Sequence, residues 1–570
     1  MTSDKKTLPQ QVGNRYACAF IAATMMAGTP AYAIGDFGKP RINWTNNLQY
    51  NLLYRLQDPN SALLANQPGN KYSANVDDGN ASFDKGVVSN RLELLSELDV
   101  IFQNGWGARV SGLAWYDTVY NERNDNPGFA GGAVPNQTSV PYNEFTDDTR
   151  DLQGRDIELR DAFVFGRTTV GDAALRFRAG QYASVWGESL FFANNSIAGA
   201  QNAFDIDRLL RDPTAEAKEF VLPVPQVGAD LQLTSDLTFS AYYQFGYEPN
   251  RLPGVGSYFS SQDQGVVGAE NMWIGPGQSI PRSGTDEPDD SGQFGFKVRW
   301  RLGYTDLGFY ALRFHDKSYQ QVVRLGLQQV GPNPGDVAAV PEDYYLTYNE
   351  GTTAYGVSVS HSFGSVNVAG EASIRHNQAL ASTGAADTSS FTSAPASDNH
   401  DHPAYAVGDT AHINLSTIWS LEPGLLWQEA TFLGEVAWNR RLNCHENCDV
   451  ALDPNATRDA VAFRAVFEPV YRQVITGLDL GVPVGVGYSP KGSRSSLGAG
   501  FPAENGGDVT LGLNGTYLNS WQISLAYTHF YGRDEAFLVE RENDANNPAF
   551  SYQQSLKDRD FASLTASRRF

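Results

Sequence analysis

The residues best placed to do chemistry in this 570-residue chain are charges that recur at every second position. Arg91, Glu93, Glu97 and Asp99 alternate with Leu92, Leu94, Leu98 and Val100. Arg109 and Asp117 follow, then Glu158 and Arg160, then Arg176 and Arg178. A basic file, Lys297, Arg299 and Arg301, is set between Phe296, Val298 and Trp300. A period of two is the signature of a strand with one apolar and one wet face. Charges ranked along a wet face could orient a solute and set selectivity. They could equally pair with one another and stiffen a wall; the two readings are compatible.

Three other groupings call for a reading. Trp186–Val224 interleaves apolar Phe191, Phe192, Phe204, Ile206, Leu209 and Leu210 with Asp205, Asp207, Arg208 and Arg211. That mixture makes a poor outer loop in water and a good short helical insert. It reads as a plug or gate folded inward, or as a loop that packs over a mouth without gating. Arg251–Phe259, with Pro253, Gly254 and Gly256, reads as a second, stiffly turned lip. Cys444 and Cys448 most simply form a loop-pinching disulfide in an oxidising compartment; with His445 between them they could instead hold a metal. Asp77, Asp78, Asn80 and Asp84 offer enough oxygen for calcium, but their spacing misses the EF-hand pattern.

Catalytic signals are weak. None of the eight histidines lies in a nucleophile-elbow or metalloprotease motif, so no enzyme and no cofactor is expected. Net charge is −22, which argues against nucleic acid as a partner and suits acidic loops facing solvent.

The elements that must position these charges are strands. In the hairpin Asp508–Phe530, Val509, Leu511, Leu513 and Tyr517 share a face, as do Trp521, Ile523, Leu525 and Tyr527 in its second arm. The chain has no apolar run of the length, about 20 residues, that a spanning helix needs. Too few amphipathic helices are present to cover the strands, so a second sheet or lipid must. Short connections at Asn104-Gly105, Val170–Asp172, Thr234–Asp236, Leu302–Tyr304, Phe363–Ser365, Leu421–Leu426, Arg472–Thr476 and Asn519-Ser520 alternate with long ones. That layout favours lipid over a periplasmic β-sandwich or propeller. We expect an all-β, transmembrane antiparallel barrel of about 18 strands, with about 16 as the lower bound, long extracellular loops and short periplasmic turns. It should form one domain over residues 34–570, with 186–224 as the plug or constriction.

Residues 1–33 read as an export signal: Lys5, Lys6 and Arg15 lead an apolar stretch at Tyr16–Gly28, and Ala31-Tyr32-Ala33 is a small-x-small cleavage site. The alternative is a disordered arm. The chain ends on Phe570, as outer-membrane barrels end on an aromatic residue, although Arg568 places one charge on the same face.

Several blocks also carry a family resemblance: Asn75–Asn80 with Phe83 and Asp84, Ser89–Asp99, Trp186–Ser189, Ala217–Glu219 with Leu222–Val224, Glu248–Phe259 and Leu556–Phe561. Together they resemble the "domain of unknown function 1302" family of Gram-negative outer-membrane proteins. The resemblance implies a barrel in the outer membrane, among lipid and lipopolysaccharide, with no generally assigned activity. It also implies neighbours: a lipoprotein of unknown function and an inner-membrane exporter of the resistance-nodulation-division (RND) type. Such sets are associated with hydrophobic compounds such as steroids, alkanes and esters. The expectation is passage of a hydrophobic or amphipathic compound, a porin-like function, within such an assembly. The other class is a structural or docking barrel with a closed lumen.

Overall fold

The computed structural model describes residues 38–570 except 65–70, 130–135, 213–216, 334, 494, 497–499 and 543. The export signal expected over residues 1–33 lies outside the described residues.

Eighteen strands close into one antiparallel barrel. The first five are β1 (Arg41–Arg55), β2 (Val87–Ile101), β3 (Gly107–Asp117), β4 (Arg155–Val170) and β5 (Ala173–Tyr182). They are followed by β6 (Val224–Gln232), β7 (Leu237–Gln244), β8 (Gln293–Leu302) and β9 (Thr305–Phe314). Next come β10 (Thr352–Phe363), β11 (Val366–Ala379), β12 (Val407–Leu421), β13 (Glu429–Glu446) and β14 (Asp459–Ile475). β15 is broken into Leu478–Gly481 and Val484–Lys491, both pieces pairing with β14 and with β16 (Gly506–Tyr517). The break falls at Pro483, which has no N–H for a ladder. β17 (Trp521–Tyr531) and β18 (Phe561–Arg569) complete the wall. β18 pairs with β1 from Asn47↔Arg569 to Arg55↔Phe561, so no strand edge is left open. In hydrocarbon an open edge would cost several kcal/mol for each orphan group.

The alternation written in the sequence becomes the two faces of this wall. Leu92, Leu94 and Leu98 of β2, and Leu511, Leu513, Ile523 and Leu525 of β16 and β17, are exposed on the outside. Among the described residues no second sheet covers Leu94 or Leu511, which are 38% and 49% exposed. Lipid is the remaining cover. Trp44, Tyr304, Phe363, Trp419, Trp521 and Phe570 stand exposed near the short turns, and Tyr54, Tyr116, Tyr355 and Tyr527 near the loops. These are the two interfacial aromatic girdles of a membrane barrel.

The limits and irregularities of individual strands have physical causes. β3 stops at Asp117, whose carboxylate accepts from the N–H groups of Asn90 and Val119 and so ends the ladder. β5 stops at Tyr182, and the chain then turns inward to bury Trp186 against Tyr242 and Tyr310. In β4 the pairing with β3 slips between Val110 and Gly112. Beyond that bulge Phe163 and Phe165 face Arg109 and Gly107 on the inner side.

Several long loops pack over the mouth with the strand ends, building a core there from Leu53, Phe83, Val88, Tyr120, Phe145, Tyr258, Phe259, Phe530 and Phe561.

Candidate functional site: a segment crossing the lumen

The segment between β5 and β6 enters the barrel and makes contact with both sides of it. Its helices are short: α1 (Ile197–Gln201), α2 (Ile206–Arg211) and α3 (Ala217–Phe220). Ser196 caps α1 by accepting from Ala198 N–H at 3.1 Å, and Asp205 caps α2 by accepting from Arg208 N–H at 2.9 Å. A two-residue ladder of Ala203–Phe204 with Val221–Leu222 closes the excursion.

One wall holds α2 by ion pairs. Glu93 on β2 is 3% exposed and takes three guanidinium groups. Arg208 donates to its Oε2 at 2.9 Å, Arg211 lies 3.4 Å from its Oε1, and Arg91 of the same strand donates to Oε1. Arg208 also reaches Glu219 at 3.3 Å, and Arg211 lies 3.5 Å from Asp207. Gln153 donates to Asp207 at 2.8 Å, and Gln49 of β1 donates to Asp212 at 2.8 Å. Burial opposes the charge on Arg208, but Glu93, Glu219 and Asp212 outweigh it and hold the guanidinium well above its ordinary range. Burial pushes the Asp207 carboxyl up, against the pull of Arg211.

The other wall, β11 to β13, holds residues 187–197 by their main chain. Glu435 Oε2 accepts from the N–H groups of Leu190 (3.1 Å), Phe191 (2.5 Å) and Phe192 (3.1 Å). Its Oε1 accepts from Ser189 Oγ and Asn414 Nδ2, each at 2.7 Å. Glu371 accepts from Glu188 N–H at 2.6 Å and Ile197 N–H at 2.7 Å. Arg375 donates back to the carbonyls of Asn194 and Ser196. Asn195, fully buried, is shared among His412, Asn414 and Asn439. Gly187 sits at φ +101°, and a Cβ there would lie 2.6 Å from Glu371 Oε2. A side chain at that position would displace the carboxylate that holds the segment.

β2 and β12 are ten strands apart in a ring of eighteen, so these anchors face each other across the barrel. The segment bridges the lumen.

The charges expected on the inner wall are there, in unequal use. Arg109 pairs with Asp99 at 2.7 Å and lies 3.9 Å from Glu97, which also takes Lys218 at 3.1 Å. Asp117 faces Arg91 in register and accepts from Ser89 Oγ. Glu158 binds Arg160 at 3.2 Å and Arg251 at 2.9 Å, and Arg251 also reaches Asp205 at 3.1 Å. Arg299 and Arg301 share Asp306 at 2.9 and 3.2 Å. Lys297 lies 5.5 Å over the Trp186 ring, and Arg178 lies 5.5 Å over Tyr182. Arg176 faces Asp230 of β6 in register.

Of the plug residues expected, Phe192, Phe204, Asp205, Asp207, Arg208 and Arg211 are buried, and Phe191 packs beside Phe192. Leu209 is 36% exposed and stands apart from that packing. Sequence reasoning missed Glu371, Arg375, Asn414 and Glu435. The signal that could have found the first two is the polar face Glu371, Ser373, Arg375 of β11, which alternates with Ala372 and Ile374.

Residues 14–570 match the family described as protein of unknown function (DUF1302). The chain belongs to that family. No curated protein matches it. Similar solved structures include Acinetobacter baumannii OccAB3, 9% identical, covering 93% of this chain and 99% of that one at a TM-score of 0.41. Pseudomonas aeruginosa OccD3 (OpdP) is 9% identical over 97% of each chain, at a TM-score of 0.39. Salmonella typhi OmpF in complex with daunomycin is 8% identical over 94% and 99%, at 0.32. These likenesses are too distant to carry a site or a solute across.

Three of the blocks that resembled the DUF1302 family, Asn75–Asn80 with Phe83, Glu248–Phe259 and Leu556–Phe561, meet in one buried knot at the mouth. Arg55, with no exposed surface, donates to the carbonyls of Asn80 and Phe83, to Asn80 Oδ1 at 2.6 Å and to Asp558 at 3.0 Å. Arg559 donates to the carbonyls of Tyr258 and Ser260. The stretch Arg251–Phe259, expected as a lip, is thereby packed into the mouth as part of its core. The calcium grouping changes for the same reason. Asn80 is committed to Arg55, and the Asp84 N–H donates to Asp125. Asp77 and Asp78 are joined instead by Asp263, with carboxylate oxygens all within 4.8 Å. Burial and the two neighbouring carboxylates push Asp263 well up, and burial raises Asp78 to about 6. Cys444 and Cys448 form a disulfide, which leaves no thiolate there for a metal.

Proposed function

We propose that this chain is an outer-membrane channel for hydrophobic or amphipathic compounds in which residues 186–224 act as the gate. The observation that supports it is the segment itself, short helices held at opposite walls by Glu93 on one side and Glu371 and Glu435 on the other. Leu190 and Leu209 of the segment are each 36% exposed, so the constriction offers apolar as well as charged surface. Deleting Ala198–Asp212 should raise single-channel conductance or uptake of an amphipathic dye; unchanged permeability would retire the gate.

A partner set goes with this reading: a periplasmic lipoprotein and an inner-membrane RND-type exporter, with the barrel as the outer-membrane part of an envelope-spanning complex. Its support is the family resemblance alone, and gentle-detergent purification of the native protein tests it. One observation favours a second reading, a structural or docking barrel with a closed lumen: the buried Glu93 gathers three guanidinium groups, an arrangement built to stay shut. Under that reading the deletion variant conducts no better than the parent.

A further inference from the structure

The arginines on the inner wall are not all ion-paired, and two that are not, Arg176 and Arg178, stand on one strand beside Arg167, which faces Arg176 in register. Arg91, Arg109, Arg160, Arg299 and Arg301 each have a carboxylate partner. Among the described residues, Arg176 and Arg178 have none within ion-pair distance. Asp230 faces Arg176 across the β5–β6 ladder, but it accepts from Ser240 Oγ at 2.6 Å instead. Both arginines are exposed, so they present free guanidinium groups to the lumen.

Their neighbours are aromatic. Phe165 of β4 is directly opposite Arg178, and Phe163 lies two residues further toward the loops on the same inner face. Both rings are half-buried, 6.0 Å apart, and Phe163 is 5.4 Å from Tyr182. Tyr182 in turn lies under Arg178 and over Gly228, where a Cβ would come within 2.6 Å of the phenol oxygen. The phenol of Tyr182 thus uses the space that Gly228 leaves, with its ring 5.5 Å from the Arg178 guanidinium. The group runs along β5 from Arg176, near the short turn at residues 171–172, up to Tyr182, where the crossing segment begins.

We infer that Arg176 and Arg178, with Phe163 and Phe165, form a binding station for an amphipathic organic anion, a carboxylate carrying an apolar ring or chain. The planar guanidinium forks take the carboxylate, for which their donor geometry is matched. The two phenylalanine rings take the apolar part. The chain's net charge of −22 repels anions at long range, so an uncompensated basic pair inside the barrel selects at short range what the outer loops do not attract. The inference rests on the channel reading for its role in transport, and it names the solute class of that channel.

The test uses the purified full-length protein in a non-ionic detergent, with 2-naphthoate and its neutral analogue 2-naphthamide as probes in equilibrium dialysis. The carboxylate should bind at least tenfold tighter than the amide at low salt, with the gap closing as salt is added. In R176Q/R178Q the preference should fall to about onefold; in R176K/R178K, which keeps the charge, it should fall only in part. F163A/F165A should weaken both probes alike. Heat-modifiable gel mobility confirms that each variant is folded. Equal binding of the two probes by the parent, or an undiminished preference in folded R176Q/R178Q, overturns the inference. Planar-bilayer conductance of the same preparation separates the two claims. A conducting barrel without the preference keeps the channel and removes the station; a non-conducting barrel with the preference keeps the station and removes the channel.

Discussion

The two walls that grip the crossing segment do so by different chemistry. At β2 the contact is side chain to side chain: three guanidinium groups converge on Glu93. At β11 and β13 the contact is side chain to main chain: Glu371 and Glu435 accept five backbone N–H groups between residues 188 and 197. The first arrangement neutralises charges that burial would otherwise penalise. The second answers a different problem, because an irregular chain inside a barrel has backbone donors with no ladder to join. One wall therefore reads particular charged residues of the segment, and the other reads chiefly its path, adding side-chain contacts at Ser189 and Asn195.

The comparison can be broken most sharply at Glu93. E93Q leaves Arg91, Arg208 and Arg211 buried around a neutral amide, and removing one partner of a buried pair costs about 3–5 kcal/mol. α2 should leave the wall. The expected results are new tryptic cleavage at Arg208 or Arg211 in the folded barrel and a rise in conductance. High salt should not reproduce them, since buried pairs are screened far less than exposed ones. A variant that stays closed and resists trypsin would show that the ion pairs do not hold the segment.

E435Q should do less. A glutamine keeps the shape and one acceptor oxygen, yet it loses the charge behind the bonds to Leu190, Phe191 and Phe192. Hydrogen bonds to charged groups are worth about 1.5–3 kcal/mol each, and part of that survives with a neutral acceptor. Conductance should rise modestly, without cleavage at α2. Alanine at Leu190 or Phe191 should leave conductance unchanged, because the contact uses their N–H groups. A rise in conductance at Leu190→Ala equal to that of E435Q would erase the proposed difference between the walls.

How far the sequence could be read follows the same division. The barrel was legible because each strand carries its own two-residue alternation and each short turn its own turn chemistry, both local signals. Glu93 was legible as an inward charge for that reason. Its partners were legible only as types: Arg208 and Arg211 stood out as charges in an apolar segment, but nothing local assigns them to β2. The far wall was legible only as an inward polar face, Glu371, Ser373 and Arg375 on β11, with nothing to say what it binds. Glu435 binds N–H groups lying 243 to 245 residues away, and every non-proline residue offers an N–H, so no residue type marks the partner. The inward turn of Phe163 and Phe165 was hidden too, because one bulge in β4 reverses the alternation beyond it. The mouth knot lies between these cases: its residues could be recognised as family blocks, but their meeting depends on loops closing over 503 residues, from Arg55 to Asp558.

The smallest effect expected belongs to the disulfide, and it asks whether the far wall depends on the loop above it. Cys444 lies near the loop end of β13, the strand that carries Glu435, and pairs with Cys448 four residues on. Closing so short a loop removes about 2 kcal/mol of unfolded-chain entropy on the chain-entropy account. That stabilisation is local. Glu435 itself is held by ladders to β12 and β14 that do not involve either cysteine, through Ser416 and Arg464 in register. C444S/C448S should therefore increase protease sensitivity in residues 447–458 and leave conductance and probe binding at parental values. A conductance change as large as that of E435Q would mean that the loop sets the position of β13, and that main-chain capture by Glu435 depends on a constraint outside the membrane.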